Sequence, residues 1–131
     1  MVVKMFRETV ICIVIIISIV CLDLFTQNFT KQNVELIVKE LSSIKEEIVL
    51  GDREITKEKI DELDKNWKDK HDKLAYYIEH DELEKVDTAI VNMKSYFETE
   101  DFSSAVAELE ESKFILEHIQ QKNSFNLQNI F

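Results

Sequence analysis

The stretch VELIVKELSSIKEEIVLGD, residues 34–52, decides the fold. Its apolar residues recur every three or four positions, which places them on one face of an α-helix. This first stripe consists of Val34, Ile37, Leu41, Ile44 and Ile48. The single glycine of the chain, Gly51, follows the stripe and suits the left-handed conformation that ends many helices. Asp52 can cap a following helix. The stretch therefore predicts a helix, a tight turn and a second helix.

Three further apolar stripes with helical spacing follow this turn. They consist of Ile60, Leu63, Trp67, Leu74 and Tyr77 or Ile78, then Leu83, Val86, Ile90, Met93 and Phe97, and finally Ala105, Leu109, Ser112, Leu116 and Ile119. Asp81 with Glu84 resembles a capping box, and Asp101 or Ser103 gives another helix start. After a polar run at residues 120–123, residues 124–131 suggest a short closing helix. We expect an all-α fold, either an antiparallel four-helix bundle or two stacked helical hairpins.

An apolar run lies upstream of the first stripe. All but one of residues 10–22 are apolar, and Leu24 and Phe25 extend the run. Counted over residues 9–25, it just reaches the lower limit of about 17 residues for a membrane-spanning helix. Pro is absent from the chain, and no glycine precedes Gly51. The spanning segment can therefore continue into the first stripe as one helix.

A secretory signal peptide is the alternative interpretation of the apolar run. A signal peptide needs small residues just before its cleavage site, and the run lacks a suitable pair. We therefore predict a cytoplasmic stub and transmembrane anchor in residues 1–25 and an acidic helical ectodomain in residues 26–131. Lys4 and Arg7 precede the run and Asp23 follows it. The positive-inside rule then predicts a single-pass protein of the cell membrane with a cytoplasmic N-terminus and an extracytoplasmic helical domain.

The formal net charge of −10 is unevenly distributed. Residues 27–78 hold 12 acids and 10 bases, whereas residues 79–119 hold 12 acids and 3 bases. Nucleic-acid binding requires clustered Lys and Arg, so we expect no nucleic-acid partner. Solvation alone is the favoured explanation for the acidity of the second half, and the alternative is that it attracts a basic partner.

Groups for catalysis or metal binding do not converge in the sequence. None of the three histidines has a second His or Cys three or four residues away, a common spacing for metal ligands. We expect no catalytic residue, no metal, no cofactor and no enzymatic activity. The densest acidic group is Glu108, Glu110 and Glu111. This group and the apolar C-terminal residues Ile130 and Phe131 are the predicted partner-binding surfaces.

Three large aromatic residues at stripe spacing allow two interpretations. The first interpretation is that they are core residues, because aromatic side chains at the spacing of an apolar stripe usually face the interior of a bundle. The three residues are Trp67, Tyr77 and Tyr96. The alternative is that these three side chains line a ligand pocket.

Several segments of the chain carry a family resemblance. They are the Gly51-Asp52 turn, the region of Trp67, YIEHDEL at 77–83, KSYFE at 94–98, KFILEHI at 113–119 and NIF at 129–131. With the N-terminal anchor, they resemble a family of short, membrane-anchored helical proteins from Gram-positive anaerobic bacteria, classed as a domain of unknown function. Arg53 and Gln120 depart from the pattern, where a large aromatic residue and a proline are usual. The resemblance covers nearly the whole chain and implies the fold and anchor, without catalytic residues.

We therefore expect a non-enzymatic, membrane-tethered interaction or assembly module of the cell envelope. Its protein partner is not identified by the sequence, and it can act as a monomer or as a homo-oligomer. The alternative is an extracytoplasmic ligand-sensing bundle. Such a sensor would need a membrane partner, because the cytoplasmic stub is too short to carry a signal.

Overall fold

The computed structural model describes the backbone of residues 1–130 and the side chains of residues 1–124. The described backbone forms four helices and contains no strand: α1 (Val2–Leu50), α2 (Arg53–Leu74), α3 (His80–Glu98) and α4 (Phe102–Ile130). The predicted all-α fold is therefore confirmed. Each helix is antiparallel to the next, because short turns join them.

α1 joins the apolar run to the first stripe in one unbroken helix of 49 residues. At a rise of about 1.5 Å per residue it is about 74 Å long. Its residues 2–19 are exposed, and its most apolar window has a mean hydropathy of 2.7 with no residue buried. This helix is long and apolar enough to cross a membrane, a property that signal sequences share.

The second half of α1 forms a four-helix bundle with the other three helices. α4 packs extensively against α3 and α1, and α1 also packs against α2. α2 and α3 meet at only a few positions, so that side of the bundle is the least closely packed. We call the end of the bundle next to the apolar run the near end, and the end at Gly51 the far end.

The core of the bundle follows the four predicted stripes. The buried apolar side chains are Val34, Ile37, Leu41, Ile44, Ile60, Leu63, Trp67, Leu74, Leu83, Val86, Ala89, Ile90, Met93, Ala105, Leu109, Leu116 and Ile119. Burying one large side chain of this kind contributes about 1.5–3 kcal/mol, which makes the stripes the main source of stability. The stripe residues Ile48, Tyr77, Ile78 and Phe97 are partly buried at the edges of this core.

Two turns have the geometry that the sequence predicts. Gly51 adopts a φ of 84°, and its N–H donates to the carbonyl of Glu47 at 2.9 Å. The Asp52 carboxylate accepts from the N–H of Ile55 at 3.1 Å and so caps α2. At the start of α4, the Asp101 carboxylate accepts from the N–H of Ser104 at 3.2 Å.

The predicted capping box at the start of α3 is wrong. The helix begins at His80, with Glu79 as its N-cap and no side-chain cap. The carbonyl of Glu79 already accepts from the N–H groups of Glu82 and Leu83, which fixes the first turn through the backbone. Asp81 therefore lies inside that turn, where its negative charge still suits the helix dipole.

The predicted separate closing helix is also wrong. α4 continues through the polar residues 120–123 and ends at Ile130. Gln and Lys are good helix formers, and a polar run on an exposed helix face requires no break. The side chains of residues 125–130 and all of Phe131 lie outside the described structure.

Gly51→Ala should lower the free energy of unfolding by about 1 kcal/mol, because a residue with a Cβ is disfavoured in the left-handed region. The added Cβ meets no atom within 4 Å, so backbone conformation alone causes the loss. Urea unfolding of the full chain in detergent, followed by the fluorescence of the single tryptophan, measures it. Gly51→Asn is the matched control and should lose less, since Asn tolerates this conformation. Equal stability of Gly51→Ala and the parent would contradict the left-handed conformation of Gly51.

Candidate functional site

Tyr77 belongs to a polar cluster at the near end of the bundle. Its hydroxyl lies 2.6 Å from Thr30 Oγ1, and Asn123 Nδ2 donates to the same oxygen at 3.1 Å. Thr30 in turn donates to the carbonyl of Thr26 at 2.7 Å, and its side chain is buried. Burial raises the pKa of the Tyr77 phenol above its usual value. The cluster ties α1, the α2–α3 turn and α4 together.

Trp67 is a core residue whose polar edge joins α2 to α3. Its Nε1–H donates to Asp87 Oδ1, and His71 Nε2 lies 3.2 Å from Asp87 Oδ2. The His71 ring packs edge-on against the Trp67 ring, with the centroids 5.9 Å apart. Asp87 therefore bridges two α2 side chains where the two helices make few other contacts.

The structure does not bring the three proposed pocket aromatics together. Trp67 is buried, whereas Tyr96 is 38% exposed near the C-terminal end of α3. Tyr77 precedes the start of α3, so about 24 Å or more of helix axis separates it from Tyr96. Trp67 and Tyr77 instead form separate hydrogen bonds inside the bundle.

The three glutamates of α4 point to two different sides of the helix. Glu110 faces α1, where its carboxylate lies 2.9 Å from Lys45 Nζ and 3.8 Å from Lys113 Nζ. The hydrogen bond from Lys45 lowers the pKa of Glu110. Glu108 and Glu111 face the opposite side, beside α3. Of the three glutamates, only Glu108 and Glu111 therefore share one side of α4.

Glu108 and Glu111 line an open groove of about 890 Å³ between α3 and α4. Asp81, Glu84 and Lys85 line the α3 side of this groove. We call it the α3–α4 groove.

Apolar side chains form the base and one edge of the α3–α4 groove. Ala89 is 3% exposed at the base, and Ile115 is partly buried beside it. Phe114 stands at the edge with 70% of its surface exposed. The groove thus combines a small apolar surface with carboxylates on both sides.

Three further observations concern metal-ligand groups, the C-terminal residues and Phe114. Among the described residues, no group of three or more His, Cys, Asp or Glu side chains is arranged to hold a metal ion. The predicted partner-binding side chains of Ile130 and Phe131 lie outside the described residues. Nothing in the sequence singles out Phe114, because it belongs to an apolar run in which Leu116 takes the stripe position.

Glu110→Gln should lower the free energy of unfolding by about 0.2–1 kcal/mol at pH 7, the usual value of an exposed ion pair. Because Lys45 lowers the pKa of Glu110 in the folded state, this stabilisation is present above the unfolded pKa and is lost as pH falls through the folded value. The difference between variant and parent should therefore vanish in acid. Urea titrations at neutral and acidic pH measure it.

Glu111→Gln is the matched control for this prediction. Among the described residues no cation lies within 4 Å of its carboxylate, so its stability at pH 7 should change by less than about 0.5 kcal/mol. Equal losses in the two variants, or a loss in Glu110→Gln that persists in acid, would contradict the role of the Lys45 pair.

Comparison with known proteins identifies a family without an assigned activity. The family model described as a domain of unknown function, DUF4363, matches residues 24–130. The matched region contains the whole bundle and leaves out most of the apolar run. No curated protein and no solved structure matches the chain significantly. Since the family model covers most of its length, the chain belongs to the DUF4363 family.

Proposed function

We propose that this protein is a non-enzymatic interaction or assembly module, held at the outer face of the cell membrane by a single N-terminal span. The observation that carries the proposal is the unbroken course of α1, from the exposed apolar run into the core of the bundle. The same helix supplies both the anchor and a quarter of the bundle.

The continuity of α1 sets the height of the bundle above the bilayer. The apolar run ends at Phe25, and Thr30 is buried within the bundle. Five helical residues rise by about 7.5 Å, which is close to the thickness of one headgroup layer. In this proposal Thr30 lies about one headgroup layer above the apolar run, the last turns of α4 continue beside α1 into that layer, and the far end points away from the membrane.

The distribution of charge supports the proposed orientation. Lys4 and Arg7 precede the apolar run, and Asp23 lies at its other end. Basic residues favour the cytoplasmic side of a span, so the bundle lies outside the cytoplasm.

The aromatic and histidine side chains that are candidates for a ligand or catalytic site form contacts between parts of the bundle. Trp67 and His71 contact Asp87, and Tyr77 contacts Thr30, so these groups join helices. The α3–α4 groove, in contrast, is open and faces away from the core. This division of roles favours a binding module over the alternative of a sensor with an aromatic pocket.

Topology can be measured with a membrane-impermeant maleimide on intact cells. After replacement of Cys12 and Cys21 by Ser, Leu50→Cys at the exposed far end should be labelled without lysis. Val3→Cys, the matched control on the opposite side of the span, should be labelled only after lysis. Labelling in the reverse pattern would place the bundle in the cytoplasm and contradict the envelope role.

The interaction role predicts that the intact protein brings down the same partner repeatedly. The full-length chain is crosslinked in intact cells, solubilised gently and purified, with an unrelated single-pass protein as the control. The expected result is a protein that recurs with this chain and is absent from the control. Recovery of the chain alone at matched crosslinking would overturn the proposed function.

A further inference from the structure

We infer that the α3–α4 groove binds a Lys- or Arg-rich amphipathic helix of another protein. This inference rests on the proposed function and goes beyond it, because it assigns the binding surface and the chemical class of the partner. Three features of the groove carry it: its length, its apolar base and its carboxylates, which have no Lys or Arg within 4 Å among the described residues.

The dimensions of the groove fit a short helix. On α3 its lining extends from Asp81 to Asn92, which corresponds to about 16.5 Å or three helical turns. The groove is the open side of two closely packed antiparallel helices. A third helix can pack its ridges into such a surface, just as helices pack within a bundle.

The base of the groove offers apolar contact to one face of the occupant. Ala89 is small and only 3% exposed, so the apolar contact at the groove comes mainly from side chains of α4. Ile115 and the largely exposed Phe114 extend the apolar surface along α4. Aromatic side chains are enriched in protein interfaces, so Phe114 can pack against the apolar stripe of a bound helix.

The charges beside this base select a cationic occupant. Asp81 and Glu84 on one side and Glu108 and Glu111 on the other give four carboxylates against a single cation, Lys85. Within the described part of the chain, the nearest basic group to any of these carboxylates is His80, 3.7 Å from Glu84.

A neighbouring glutamate outside the groove does have a lysine partner. The absence of a close Lys or Arg is therefore specific to the carboxylates that line the groove. Glu110 differs from Glu111 by one position and is paired with Lys45 of α1. A partner helix with Lys or Arg on both flanks of an apolar stripe would supply the same kind of pairing to both sides of the groove.

A second copy of this chain is a poor occupant by the same criterion. Its most lysine-rich helix is α2, where Lys68 pairs with Asp64 and Lys73 with Asp69. With the Lys59–Glu47 and Lys70–Asp69 pairs, acids lie beside four of the six lysines of α2. The charge pattern therefore favours a different protein.

A synthetic peptide tests the inference directly. The probe is a fluorescein-labelled helical peptide of three to four turns, with leucines on one face and lysines on both flanks. The full-length chain is held in nanodiscs of zwitterionic phosphatidylcholine, and fluorescence anisotropy at about 0.15 M salt measures binding. We expect saturable binding that weakens at higher salt, as ion pairing requires. A scrambled peptide of the same composition should bind at least tenfold more weakly.

Variants of the groove separate specific docking from general attraction to an acidic protein. Glu108→Lys with Glu111→Lys should weaken binding at least tenfold, and Phe114→Ala severalfold. The matched control, Glu35→Lys with Glu58→Lys, makes the same change in net charge at exposed positions on α1 and α2. It should change the affinity less than threefold. The fluorescence of Trp67 and the melting temperature establish that each variant is folded.

Several outcomes would overturn the groove assignment. They are no saturable binding to the parent protein, equal binding of the scrambled peptide, and equal weakening by the control pair. A further contrary outcome is crosslinking of a second copy through the groove.

Co-purification with the groove variants distinguishes this inference from the proposed function. If the cellular partner is recovered undiminished with Glu108→Lys and Glu111→Lys, the module role stands and the groove assignment fails. If the parent protein recovers no partner at all, the proposed function fails, whatever the peptide shows.

Discussion

The continuity of α1 is the constraint on which the rest of the structure depends. From Val2 to Leu50 the helix contains no proline or glycine, so nothing separates the exposed apolar run from the stripe that enters the core. Four of the five residues of that stripe are buried against the other helices. The bundle is therefore built around the extension of its own proposed anchor, and its height and direction follow from the helical rise.

Polar contacts join parts of the bundle to one another at two places. At the near end, Thr30 accepts from Asn123 and contacts Tyr77, so one buried hydroxyl joins three parts of the chain. Along the loosely packed α2–α3 side, Asp87 bridges Trp67 and His71. Trp67, His71 and Tyr77, which would otherwise be candidates for a ligand or catalytic site, therefore serve to hold the bundle together. The carboxylates that line the α3–α4 groove take no part in these contacts, so they are the candidates for binding a partner.

Much of the fold could be predicted from the sequence because the signals are local. The apolar stripes, Gly51 and Asp52 all depend on residues within a few turns of one another. The predictions for the start of α3 and the course of α4 are wrong, because backbone hydrogen bonds to the Glu79 carbonyl and the helix propensity of residues 120–123 outweigh side-chain patterns. Which of the three α4 glutamates share one side could not be predicted, because spacing within α4 does not reveal that Lys45, 65 positions before Glu110, pairs with it. Phe114 could not be identified from the sequence, because it lies at the edge of a groove only once α3 packs against α4.

The most direct test of the central claim is a distance across the proposed membrane boundary. With Cys12→Ser and Glu46→Cys, spin labels at Cys21 and residue 46 should lie about 38 Å apart in nanodiscs, since 25 residues separate them on one helix. A matched pair at residues 32 and 46, with both native cysteines replaced, should give about 21 Å. If α1 is one straight helix, the distance distributions of the two pairs should have equal width. A shorter or much broader distribution for the pair that crosses the boundary would show that α1 bends there, and would contradict a bundle fixed by its anchor.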